Sequence, residues 1–363
     1  MSADARFMTA ALALGRRGLG ATWPNPSVGC LLVREGRVVG RGVTAAGGRP
    51  HAEALALAEA GPAALGATAY VTLEPCAHHG ATPPCADALV AAGVARVVIA
   101  LRDPDPRTDG GGAARLRAAG VEVTEGVGEA EAREDHAGFF SRVRRGRPAL
   151  TLKLALSLDG RIATAGGESR WITGPEARRL AHAERLRHDA VMVGGGTARA
   201  DDPLLTVRGL GATRQPVRVV LSVGLDLDPE GALGRGAAEA PVWLVHAGAP
   251  EGRRAAWEAR GARLLEAAPG REGGVDARAA LEALGAAGLT RVLCEGGGRL
   301  AASLLAAGLV DDALVLSAGL ALGAEGRAGV GPLGLAALAE APRLRLVEAR
   351  PLGGDALHRW RAG

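Results

Sequence analysis

Short apolar, β-branched runs alternate with alanine- and leucine-rich stretches of helical length along almost the whole chain, and this alternation restricts the fold to α/β architecture with largely parallel strands. Residues 29–33, 70–73 and 97–101 read as buried strands, and 52–60 and 85–92 as helices between them. The basic, turn-rich stretch 142–148 (RVRRGRP) breaks the pattern and reads as a linker. Beyond it, 149–156, 190–193, 217–221, 242–245 and 291–294 read as strands, 175–187 as a helix with Thr173 as its cap, and 300–307 as a second helix. The closing segment 314–361 shows two short strand-like pieces. At 363 residues, 48% of them apolar, the chain outgrows a single core, so two domains are expected, 1–146 and 147–363.

The first ten residues, MSADARFMTA, lack an apolar stretch behind a basic one, and no apolar run is long enough for a membrane span. A cytoplasmic protein without a membrane partner is expected. Four cysteines are too few for a disulfide framework, which favours metal or catalytic use. The net charge of +4 admits nucleic acid as a partner, but the arginines are interleaved with acids and only 2% of residues are aromatic, so there are few platforms for stacking bases. Small phosphorylated molecules suit the same arginines better.

His51-Ala52-Glu53, Glu74-Pro75-Cys76 and Cys85 carry the strongest chemical signal. One histidine and two cysteines give zinc three ligands and leave a fourth tetrahedral position for water, which separates a catalytic site from a closed structural one. Glu53, two residues after a ligand at the start of a helix, is suited to shuttle the proton of that water. A closed zinc knuckle would need a fourth ligand, and His78 or His79 is available, but a knuckle has no use for Glu53. Cys30 reads as a core residue.

In the second half, the strand 291–294 runs into Glu295-Gly296-Gly297-Gly298 and then a helix, and Gly194-Gly195-Gly196-Thr197 also closes a strand. Backbone N–H groups at such turns suit phosphates. Two turns make a dinucleotide plausible, although neither fits the G-x-G-x-x-G pattern. Lysine and arginine total 43 and lysine occurs once, at Lys153. A composition this committed to arginine has kept one compact, titratable ammonium on the first strand of the second half.

Eight residues separate Cys76 from Cys85 (EPCAHHGATPPC), where base deaminases commonly have two. With Pro24-Asn25-Pro26-Ser27-Val28-Gly29 and the His51 triplet, the chain from about Phe7 onward resembles the bacterial bifunctional riboflavin-biosynthesis enzymes, diaminohydroxyphosphoribosylaminopyrimidine deaminase joined to 5-amino-6-(5-phosphoribosylamino)uracil reductase. The second half is similar to the reductase part at 154–161 (LALSLDGR), 169–173 (SRWIT) and 197–206 (TARADDPLLT). The resemblance implies a cytidine-deaminase-like three-layer domain followed by a dihydrofolate-reductase-like α/β domain, one Zn2+ per chain, NADPH, a phosphoribosylaminopyrimidine substrate and a homo-oligomer.

Carried over residue by residue, the resemblance puts Asn25 on the pyrimidine. It assigns NADPH contacts to Ala155, Trp171, Thr197, Asp201, Gly297, Gly298, Arg299, Leu300, Ala301, Ala302 and Ser303. Substrate contacts fall on Ser169, Arg185, Leu205, Arg208 and Glu295. Arg185 and Arg208 suit a phosphate clamp. Glu53, Lys153 and Asp201 are the candidates for chemistry. Two positions depart from the pattern near the ribose phosphate: Thr44 stands where histidine is common, and Ala81 where lysine or arginine is. A nucleic-acid base deaminase would share the zinc residues but not this ligand spacing, and a non-catalytic zinc-binding protein would not need Glu53.

Overall fold

The chain, in a computed structural model that describes residues 2–78, 83–270 and 273–363, divides into two compact units, Met1–Gly146 and Arg147–Gly363. The first is built on a five-stranded sheet in the order Arg37–Val43, Gly29–Arg34, Thr68–Val71, Arg96–Ile99 and Glu122–Glu125. The strand Gly29–Arg34 is antiparallel to both of its neighbours, while the last three strands are parallel. The sheet is therefore mixed rather than largely parallel. The strands missed by sequence reading are its two edges, where arginine, glycine and glutamate dilute the apolar pattern.

Helices Ala3–Gly15, Ala52–Ala60, Cys85–Ala91 and Gly111–Ala118 cover this sheet. Glycine sets the height of one of them. A Cβ at Gly42 would lie 2.0 Å from the carbonyl oxygen of Ala52, and one at Gly40 would lie 2.2 Å from that of Ala56. The helix Ala52–Ala60 therefore lies directly on the strand Arg37–Val43, and its first turn is fixed against the sheet. Cys30 is fully buried in the core, as expected.

The stretch 142–148 is not an extended linker. Its first four residues complete the helix Ala137–Arg145, which buries Phe139 and Phe140 and ends at Gly146 with φ 68°. Glycine is suited to that left-handed stop. Arg147 belongs to the second unit, where its guanidinium donates to both carboxylate oxygens of Asp311 at 2.7 and 3.0 Å.

The second unit has a nine-stranded sheet. Its order is Arg263–Glu266, Val242–His246, Val217–Leu221, Ala190–Gly194, Arg291–Cys294, Ala149–Leu156, Asp312–Ala318, Asp355–Ala362 and Leu344–Leu352. The first seven strands are parallel, and an antiparallel hairpin finishes the edge. The segment 314–361 thus holds long strands rather than short pieces. Strands 149–156, 217–221 and 291–294 and helix 175–187 fall where the sequence puts them. The helix cap is Gly174, not Thr173, and it makes no side-chain hydrogen bond. Among the described residues, no helix is long and apolar enough to cross a membrane.

Candidate active sites

His51 is the N-cap residue of Ala52–Ala60, Cys85 opens Cys85–Ala91, and Cys76 lies in the loop beyond Thr68–Val71. The fold brings them to one point. The His51 Nδ1 is 3.7 Å from the Cys76 Sγ and 3.4 Å from the Cys85 Sγ, and the Cys85 N–H donates to the Cys76 Sγ at 3.3 Å. All three donor atoms lie within 4.8 Å of one another. Atoms sharing a tetrahedral zinc with bonds of about 2.0–2.3 Å stand roughly 3.5–3.8 Å apart, and the two separations from the His51 Nδ1 match that spacing. Hydrogen bonds from Cys85 and His51, set against burial, lower the Cys76 thiol, the direction that favours a thiolate ligand.

Glu53, in the first turn of the same helix, is buried, and desolvation pushes its carboxyl up to about 7. Glu74 works through the backbone instead, accepting N–H groups from Asp103, Gly110 and Ala113 at 3.0–3.2 Å, which ties the Cys76 loop to the next one. Only the fold reveals that role. Asp103 is buried beside it, and desolvation raises its carboxyl to about 7.

The cleft over these groups is lined by Asn25, Thr44, Arg49, His78, Asp103 and Arg107, among others. The Asn25 Nδ2 donates to the Gly48 carbonyl, which fixes the side chain. Thr44 is buried, and its hydroxyl oxygen accepts the Val28 N–H. His78 is 3.4 Å from the Thr108 hydroxyl. His79 and Ala81 lie outside the described residues.

In the second unit, the two glycine turns close adjacent parallel strands and pack side by side. A Cβ on Gly296 would come within 2.6 Å of the Val193 Cα and 2.9 Å of the Gly194 nitrogen, and one on Gly297 within 2.9 Å of the Thr197 Oγ1. Gly297, at φ 63°, leads into the helix Gly298–Ala306, which carries Arg299, Leu300, Ala301, Ala302 and Ser303. The two turns therefore pack against each other at a distance that only glycine allows, and the helix N-terminus they lead into is of the kind that suits the pyrophosphate of a dinucleotide. Asp201 ends the helix Gly195–Asp201 and is exposed. Trp171 is also exposed, with Arg178 over its ring at 4.6 Å. Ser169 is half-buried, and the buried Leu205 adopts φ 51°.

Glu295, immediately after the strand Arg291–Cys294, gathers the charged residues. The Arg185 Nε and Nη2 donate to its two oxygens at 2.6 and 2.9 Å, and the Lys153 Nζ lies 4.0 Å from Oε2. Burial alone would raise Glu295, but the Arg185 hydrogen bonds and charge, with help from Lys153, bring it down to about 2. Arg185 also donates from Nη1 to the Thr206 carbonyl, so all three of its nitrogens are engaged within the protein. Lys153 and Ala155 share a strand face with Thr151, whose hydroxyl meets His188 at 2.9 Å at the end of the helix Pro175–Arg187.

His182 had no sequence signal. One turn before Arg185, its Nδ1 accepts the Arg208 backbone N–H at 3.2 Å, and burial followed by the charges of Arg185 and Arg208 lowers its affinity for a proton.

Comparison with known proteins finds a family match for each of the two units. Residues 1–101 match the cytidine and deoxycytidylate deaminase zinc-binding region, and residues 148–358 match the RibD C-terminal domain. The riboflavin biosynthesis protein RibD of Escherichia coli (strain K12) is 42% identical over 364 residues, covering 97% of each chain, and that of Aquifex aeolicus is 41% identical over 97% of this chain and 96% of its own. Among solved structures, Acinetobacter baumannii RibD superposes with a TM-score of 0.89 at 38% identity over 99% of both chains. The Thermotoga maritima diaminohydroxyphosphoribosylaminopyrimidine deaminase/5-amino-6-(5-phosphoribosylamino)uracil reductase does so at 0.86 and 32% over the same shares.

Fold and sites define a two-part enzyme, a cytidine-deaminase-like zinc-dependent deaminase followed by an α/β reductase. Its cofactors are Zn2+ and NADPH. The chain belongs to the RibD family, the bifunctional deaminase/reductases of riboflavin biosynthesis.

Proposed function

We propose that residues 1–146 remove the 2-amino group of 2,5-diamino-6-(5-phosphoribosylamino)pyrimidin-4-one, and that residues 147–363 then reduce the ribosyl group of the resulting uracil to ribityl. The convergence of His51, Cys76 and Cys85 beside a buried Glu53 carries the first half of this reading. Zinc held by those three supplies a Lewis acid that makes water nucleophilic near neutral pH. Glu53 takes a proton from the attacking water and returns it to the departing amino nitrogen. Asn25, held by Gly48, orients the pyrimidine.

In the second half, NADPH when bound would supply the hydride. Ala155, Trp171, Thr197, Asp201 and the 297–303 segment hold it, while Ser169, Leu205, Arg208 and Glu295 orient the substrate. Lys153 gives a proton to the ribose ring oxygen as the ring opens at its anomeric carbon. Arg185, bonded through Nε, Nη1 and Nη2, acts by aiming Glu295 as well as by its charge.

The enzyme works in the cytoplasm on this small molecule and not on nucleic acid, because its arginines are dispersed and its aromatics scarce. A homo-oligomer suits the edge strand Leu344–Leu352, which exposes Leu346 and Val347 along an unpaired edge. The test of the first half is Glu53→Gln. The variant should keep its zinc, since Glu53 is not a ligand, and lose ammonia release by several orders of magnitude. A near-normal rate refutes the mechanism.

A further inference from the structure

The deaminase cleft must accept a substrate bearing a ribose phosphate, yet the charged groups that line it are mostly acids: Glu53, Glu74, Asp103 and Asp105. A phosphate dianion needs a cation at the rim to offset them. Thr44 supplies none, being a buried hydroxyl already bonded to Val28. Among the described residues, the arginines lining the cleft are Arg49 and Arg107.

Arg107 is built into its position. Its Nε donates to both carboxylate oxygens of Asp105 at 2.9 and 3.1 Å, and its Nη2 donates to one of them at 2.5 Å. The Asp105 carboxylate also accepts the Arg107 backbone N–H at 3.0 Å, and the Asp105 N–H donates in turn to Asp103 at 2.9 Å. Pro104 and Pro106 stiffen the same rim by fixing φ. Asp105 is buried, whereas the Arg107 side chain is 68% exposed, and its Nη1 makes no hydrogen bond to any described residue. An exposed ion pair of this kind adds little to stability. A guanidinium fixed along one edge, belonging to a residue that lines the cleft and with its other edge unbonded among the described residues, is prepared to bind an anion.

We propose that Arg107 anchors the ribose phosphate of the deaminase substrate, donating from Nη1 and the second Nη2 hydrogen while Asp105 holds the other edge of the guanidinium. This rests on the first unit being the deaminating one. The experiment measures KM and kcat for ammonia release by the full zinc-loaded chain, with the phosphorylated substrate and with its phosphate-free riboside. Arg107→Gln should raise KM for the phosphorylated substrate by about tenfold or more, the loss of a charge-assisted contact, with kcat unchanged. It should leave KM for the riboside unchanged, and Arg107→Lys should recover part of the loss. Unchanged reduction of pre-formed aminouracil nucleotide by the same variant shows that the chain is folded. An unchanged KM, an equal rise for both substrates, or a phosphate-dependent rise seen only in Arg49→Gln overturns the anchor. Wild-type chain releasing no ammonia overturns the deaminase reading and the anchor with it.

Discussion

Lys153→Arg keeps the charge and should still impair reduction. The Lys153 ammonium sits 4.0 Å from Glu295 Oε2, with the side chains only 15% and 9% exposed. At that distance, and with an effective dielectric of about 20, the gross attraction is roughly 4 kcal/mol, against which the desolvation of both groups must be set. Charge alone would let arginine substitute. Geometry opposes it, because both Glu295 oxygens already accept from Arg185 and leave no place for a second planar fork, whereas an ammonium needs only one lone pair. Lys153→Arg should therefore slow reduction at least tenfold, about 1.4 kcal/mol, and Lys153→Met about a hundredfold or more. The assay is steady-state loss of NADPH with pre-formed aminouracil nucleotide, with ammonia release as the control that should not change. A Lys153→Arg rate within about twofold of wild type, some 0.4 kcal/mol, would refute the reasoning.

Cys85→Ser should lose most of its zinc by metal analysis, while His78→Ala keeps it; the opposite pattern would put the third ligand elsewhere. His182→Leu should raise KM for the reductase substrate about tenfold by releasing the segment that carries Arg208, and His182→Asn, whose Oδ1 can accept the same N–H, should restore it. Equal losses in the two variants would contradict that role. Glu295 sits at about 2 when folded against an ordinary 4.5, so the stability it contributes is complete above pH 4.5 and is lost as pH falls towards 2. That contribution is about 3 kcal/mol, and Arg185→Met should flatten the acid loss seen by urea unfolding at pH 5 and pH 3. An unchanged pH dependence would mean that Arg185 is not what holds the carboxylate.

The zinc trio was legible because its residue types are rare in this chain and two of the three sit at the start of a helix with a clear pattern. Helix 52–60 and strands 149–156, 217–221 and 291–294 were legible because their apolar runs have the length of one element and end at turn residues. The strand Arg37–Val43 was not, since its glycines serve the helix above it rather than the strand itself. Arg142 to Arg145 read as a linker because of their charge, although the burial of Phe139 and Phe140 carries the helix through them. Glu74 and His182 act through backbone groups 26 to 39 residues away, so no local pattern could expose them. Arg185 and Glu295 came from family resemblance, but their mutual bond, 110 residues apart, is a product of the fold.

The order of the two reactions tests the whole account. The purified chain, incubated with the diaminopyrimidine nucleotide and followed by mass spectrometry, should yield only the deaminated aminouracil when NADPH is left out and the ribityl product when it is present. Accumulation of a reduced product that still carries the 2-amino group would contradict it.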